Sequence, residues 1–229
     1  MCEWGNSPLA HRHHRKPEAR LLVSVLRAGA GVAGVHADAS ARHGRKVRGG
    51  PVVGARTDAG GEGRAAMADT GRLIIRGVVG GLAIGRGGRK LFGWFGGPGR
   101  DRTARTFESF GYRHSRVMAT VAGITDLSTG VGLLAGLATP LAASAFIGEM
   151  VNAAAVHRRE GPWAEDGGYE YPLVLATAAA CLAWDGPGAL SADRALGRER
   201  TGPAWGLGAM ALGAAGGVAV LRLFRDEPE

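Results

Sequence analysis

The stretch "VMATVAGITDLSTGVGLLAGLATPLAASAFIGEMVNAAAV", residues 117–156, decides how this chain is to be read. Its 40 residues hold two charges, Asp126 and Glu149. A bilayer core takes about 20 apolar residues per helix, so the stretch has the length of two spans. "GLATP", residues 136–140, breaks it in the middle, because Pro140 lacks a backbone donor and disfavours helix just before it. A soluble bundle would show polar faces at helical spacing, yet residues 127–146 carry no charge. Small residues recur at four-residue intervals instead, Ala119 with Gly123 and Gly132 with Gly136. That spacing lets helix backbones approach closely where lipid supplies no hydrophobic drive.

Outward from this centre the pattern continues. Residues 73–95 are apolar but interrupted by Arg76 and by "GRGGRK" at 85–90. Residues 171–184 form a shorter apolar run closed by "DGPG". Residues 203–224 are rich in Gly and Ala, with Arg222 as their one charge and Ala209, Gly213 and Gly217 at the same four-residue interval. The expected fold class is all-α: a transmembrane four-helix bundle with a fifth C-terminal helix and a disordered N-terminal extension. The expected division is a basic extension at 1–66, a four-helix membrane domain at 67–198, and an additional apolar helix with a short tail at 199–229.

The net charge of +8 points to nucleic acid or anionic lipid only if it is spread over the fold. It is not. Residues 1–66 hold 11 Lys/Arg against 5 Asp/Glu, while residues 67–229 hold 17 against 15. The tail lacks aromatics interleaved with its charges, so no nucleic-acid partner is expected. It reads either as disordered or as an over-extended start, with Met67 as the first residue. Gly29, Gly31 and Gly34 have dinucleotide-loop spacing, but no apolar helix stripe follows them, and the reading is chance in a Gly/Ala-rich segment. His11, His13 and His14 read as solvated tail. The two cysteines, Cys2 and Cys181, give no disulfide framework, redox pair or zinc spacing, and no metal site is expected. Cys181 inside an apolar helix reads as a small core filler.

Depth can be counted from the "GLATP" turn. Asp126 lies 12 residues before Ala138 and Glu149 lies 11 after it. At about 1.5 Å per residue both sit roughly 17 Å in, near the midplane. Arg86 falls near the same level on the first helix. An unpaired charge there costs several kcal/mol, so Arg86 is expected to pair with one or both acids. Two readings of this trio stand side by side: a polar knot that holds the helices, and a proton- or quinone-linked site. His157 ends the third helix, as a cap or as an interfacial proton carrier. Lys90, Trp94, Glu170 and Tyr171 are placed at the mouth, on the membrane face that also carries Phe95, Trp163 and Tyr169. Aromatic residues at that level form an interfacial belt or line an opening for a flat lipophilic ligand.

These residues carry a resemblance. "KLFGWFGG" (90–97), "FESFGY" (107–112), "AGITDLSTGVGLLAGLATPLAA" (122–143), "MVNAAAVH" (150–157), "GGYEYP" (167–172) and "GPGALSAD" (186–193) occur in the order of the DoxX family. The chain resembles that family over about residues 72–196. Arg86–Gly87 stands where the family has His–Gly, and Asp126 stands where it has Glu. The resemblance implies a small multi-pass plasma-membrane protein in contact with lipid. It also implies a quinone-linked or scaffold subunit of a membrane redox or oxidative-stress assembly, with soluble or membrane redox proteins as partners. A non-catalytic binder of a lipophilic ligand or partner helix is the alternative. Within the residues themselves no catalytic motif, haem-ligand pair or cofactor motif is legible, so the candidate site remains Arg86, Asp126, Glu149 and His157.

Overall fold

A computed structural model describes residues 58–226, and the sequence expectations that fall on residues 1–57 lie outside them. The described residues are helical, with no strand among them. Seven α-helices follow in order: α1 (Asp58–Phe92), α2 (Gly99–Ser109), α3 (Ser115–Ala135), α4 (Thr139–Val156), α5 (Glu170–Asp185), α6 (Ala192–Ala195) and α7 (Pro203–Phe224). The segments Ser115–Ala135, Thr139–Glu160 and Pro203–Phe224 are long and apolar enough to cross a membrane. The segment between α1 and α3 contains α2, a basic helix with only Thr103 and Ala104 buried.

What is inside and what is outside is the reverse of a water-soluble bundle. The buried set is dominated by small side chains such as Ala83, Ala119, Ala143, Ala179 and Ala183. Val117, Ile124, Val131, Leu173, Val174 and Leu207 face outward, all more than half exposed. Large apolar groups on the surface suit lipid, and small ones at helix contacts allow close approach. The phenylalanine, leucine and methionine that are buried (Phe146, Leu133, Leu175, Leu182 and Met150) form the centre among α3, α4 and α5.

Two helix pairs organise the bundle. α1 runs against α3, and α4 packs between α5 and α7. At the first contact a Cβ on Gly130 would lie 2.8 Å from the Gly80 carbonyl oxygen, so only glycine permits that separation. At the second, a Cβ on Gly217 would lie 2.7 Å from the Gly148 oxygen and 2.9 Å from Val151 Cβ. Gly217→Val should therefore push α7 off α4 and cost about 1–3 kcal/mol by overpacking. Unfolding midpoints in mild detergent test this, with Gly208→Val as the control, since a Cβ on Gly208 meets nothing within 4 Å. Equal midpoints for the two variants would contradict the packing argument.

One end of the bundle is tied by a polar clasp. The α3–α4 turn needs positive φ at Gly136 (64°) and at Ala138 (45°), the latter a strained conformation for a residue with a side chain. Asp193 holds that turn: its Oδ1 accepts from Ala138 N at 2.7 Å, and its Oδ2 accepts from Thr139 N and Thr139 Oγ1 at 3.0 Å. This satisfies orphan donors at the start of α4. Arg76 fills the space beside it. It donates to the carbonyls of Leu133 at 2.9 Å and Leu134, Pro187 and Leu190 at 2.7 Å. The charge lies at the C-terminal end of α3, where the helix dipole favours a cation. Residues 69–76 of α1, the "GLATP" turn and the "GPGALSAD" loop are thereby held together on one side of the bundle.

Candidate functional site

Three helices bring four charges together in the interior. Asp126 sits on the buried face of α3 and its side chain is fully inaccessible. Glu149 projects from α4 and is 10% exposed. α1 supplies Arg86 and, one turn on, Lys90, a four-residue interval that puts both on one helix face. Lys90 Nζ stands 2.7 Å from Asp126 Oδ2 and 2.5 Å from Glu149 Oε1. Arg86 is farther, with Nε 3.7 Å from Asp126 Oδ2 and Nη2 4.0 Å from Glu149 Oε1. A single ammonium touching both carboxylates places them at one depth, the level that residue counting from the turn assigns them.

The order of partners differs from the sequence reading. Arg86 pairs with both acids as expected, but Lys90, expected at the mouth, lies nearer to them. In the structure Lys90 is the shared cation, because its ammonium lies on a flexible stem that reaches inward from the end of α1. Arg86 turns toward α4 and α5: Nη1 donates to Met150 Sδ at 3.3 Å, and the guanidinium lies 5.9 Å from the Tyr171 ring centre. That ring places Tyr171 beside the charges.

The ion pairs leave hydrogen-bonding capacity unused. Asp126 Oδ1 and Glu149 Oε2 are buried without a hydrogen-bond partner, and Asp126 Oδ2 has its ion pair but no hydrogen bond. Buried polar atoms are nearly always satisfied, so these carboxylate oxygens, packed in without a donor, make the cluster costly to keep fully charged.

Next to this cluster is a cavity of about 660 Å³. α4 forms its floor through Ser144, Gly148 and Asn152. Val121 and Thr125 of α3 form one wall, and Leu212 and Gly216 of α7 the other. Arg86, Lys90 and Glu149 contribute its charged side. Phe107, Phe110, Tyr112 and His157 close the end near the α2–α3 loop. His157 stands in a 3₁₀ turn after α4, its ring edge-on to Phe110 at 6.1 Å, and so belongs to the cavity's end rather than to the charged cluster. Tyr112 Oη donates to Asn152 Oδ1 at 3.1 Å, and burial raises the phenol's pKa above its usual value despite the opposing charge of Arg225. It therefore stays a neutral donor.

The remaining mouth residues have other contacts. Glu170 Oε2 accepts from Ala164 N at 3.0 Å and fixes the tight α4–α5 loop. Trp94 packs on Gly88, where a Cβ would meet its ring, and tilts against Phe92 at 5.6 Å. Phe95 and Trp163, 81% and 64% exposed, stand outward on the same side. Such exposed rings match an interfacial belt. Sequence reasoning missed Arg76, Asp193 and Asn152, and also the wall built by α7. An arginine inside the apolar run 73–95 was the available signal for the first. The acid closing "GPGALSAD" was the signal for the second.

The model of the DoxX family matches residues 71–159. That segment holds Arg86, Lys90, Asp126, Glu149 and His157 together. Residues 71–159 are a DoxX segment. The DoxX segment and the three long apolar helices together support an integral membrane protein. No curated protein and no solved structure matches the chain. α5 and α7 lie beyond the matched DoxX segment, so one cavity wall comes from outside it.

Proposed function

We propose that this DoxX protein is a multi-pass plasma-membrane protein that binds the polar head of a quinone-type lipophilic ligand, and serves as a quinone-linked subunit of a membrane redox assembly with redox-protein partners. The supporting observation is the apolar cavity with Lys90, Arg86 and Glu149 on one side. Ligand sites are mostly apolar cavities of about 300–1,000 Å³ with a few placed polar groups. A quinone ring presents carbonyl acceptors suited to Lys90 and Arg86, and its reduced form presents a hydroxyl donor suited to the Glu149 carboxylate. The site residues of this proposal are Lys90, Arg86 and Glu149, with Asp126 holding Lys90 in place.

The test is titration of the purified protein in nanodiscs with a decyl-tailed benzoquinone, followed by calorimetry. Saturable one-site binding is expected, weakened about tenfold in Glu149→Gln, which loses a charge-assisted contact of roughly 1.4 kcal/mol. A folded protein that binds no quinone would leave the non-catalytic reading, a holder of another lipophile or of a partner helix. Affinity purification from membranes, with identification of the co-purifying proteins, tests the assembly.

A further inference from the structure

We infer that the cavity loads sideways from the bilayer, through a gap between α3 and α7, and that it takes a single-chain lipid whose compact polar head reaches the Lys90–Glu149 side while its chain stays in the membrane; Gly216 keeps that gap open. The inference rests on the ligand-binding reading above and names the route and the ligand's form. α3 and α7 each pack on α4 and make little contact with one another. The side chains that frame the gap are at once cavity-lining and exposed: Val121 is 49% and Leu212 60% exposed. Both belong to segments apolar enough to cross a membrane, so the gap faces acyl chains rather than water.

The other end is strapped. Arg225, just past α7, donates from Nε to the Phe110 carbonyl at 2.9 Å, and Asp226 N donates to the Gly111 carbonyl at 2.9 Å. Arg113 pairs with Asp226 across the same junction. These bonds fasten the loop carrying Phe110 and Tyr112 across the end of α7, over the cavity's aqueous end. A ligand that must arrive through acyl chains and stop at the partly exposed Arg86 and Lys90 is an amphiphile whose tail stays in the bilayer.

α7 separates its glycines by role. Gly213 and Gly217 face α4, where a Cβ would come within 2.5 and 2.7 Å of backbone oxygens. Gly216 lines the cavity, is exposed, and a Cβ there meets nothing within 4 Å. A side chain at 216 would therefore fill the gap without disturbing helix packing. It would also improve helix propensity.

The experiment compares the decyl-tailed benzoquinone with the same ring lacking its tail, on the full-length protein in nanodiscs and on Gly216→Leu and Gly208→Leu. Wild type should bind the tailed probe at least tenfold more tightly than the tail-less one. Gly216→Leu should lose tailed-probe binding by tenfold or more while keeping or raising its unfolding midpoint. Gly208→Leu, on the same helix but away from the cavity, should bind as wild type. Equal affinity for the two probes overturns lateral loading and leaves the proposed function standing. Unchanged binding in Gly216→Leu, or the same loss in both leucine variants, overturns the role of Gly216. Failure of wild type to bind either probe overturns the proposed function along with the inference.

Discussion

Arg76→Leu should lower stability by about 3–5 kcal/mol, the range found when one partner of a buried charged arrangement is removed. The side chain is 2% exposed and donates to four carbonyls from two separate segments, the end of α3 and the loop after α5. Hydrogen bonds from a charged donor contribute roughly 1.5–3 kcal/mol each, although contributions within one network do not add. Two effects compete. Leucine removes the desolvation cost of burying a guanidinium, which alone would stabilise. It also leaves the oxygens of Leu133, Leu134, Pro187 and Leu190 facing an apolar side chain that fills the space water would need. The second effect wins because the carbonyls are fixed by the α3 terminus and by Asp193 at the same turn. Arg76→Lys, with three donors on a point charge, should recover only part of the loss. Thermal unfolding in mild detergent followed by circular dichroism measures both variants. A midpoint for Arg76→Leu within error of wild type would show that the clasp is dispensable.

How far this architecture was legible depends on which physical signal each part leaves in the chain. The apolar lengths of residues 117–156 and 203–224 state α3, α4 and α7, because a membrane demands continuous hydrophobicity. The shared level of Asp126 and Glu149 was legible by counting, because helix rise is constant. Their partner was harder. Arg86 and Lys90 are four residues apart on one face, and depth alone cannot separate two long flexible cations. Which one lies between the carboxylates is decided by side-chain reach and by Met150 and Tyr171 drawing Arg86 aside. α2 was illegible for another reason: its sequence "GRDRTARTFES" is polar, so it carries no apolar stripe to betray a helix. Arg76 looked like a flaw in an apolar run because the four carbonyls it satisfies come from positions 57 to 114 residues away. The cavity had no sequence signature at all. It is the space left where α3 and α7 both pack on α4.

Lys90→Met should be the most damaging change at the cluster, and the way it is rescued separates a polar knot from a working site. Removing the ammonium takes the nearest cation from Asp126 Oδ2 and from Glu149 Oε1, now 2.7 and 2.5 Å away. Arg86, at 3.7 and 4.0 Å, is left to serve two buried carboxylates. Two acids against one cation in an apolar interior should cost about 3–5 kcal/mol. The double variant Lys90→Met with Glu149→Gln restores one acid to one cation, Asp126 with Arg86, and should regain most of that stability. A double-mutant cycle on unfolding midpoints should give a coupling of about 2 kcal/mol or more. Independent, additive effects would show that the short contacts carry no energy. If the charges only hold helices together, the rescued double variant should keep whatever quinone binding the wild type has. If Lys90 and Glu149 hold the ligand's head, the double variant should be folded and unable to bind. Stability and binding then part company, which charge balance alone cannot produce.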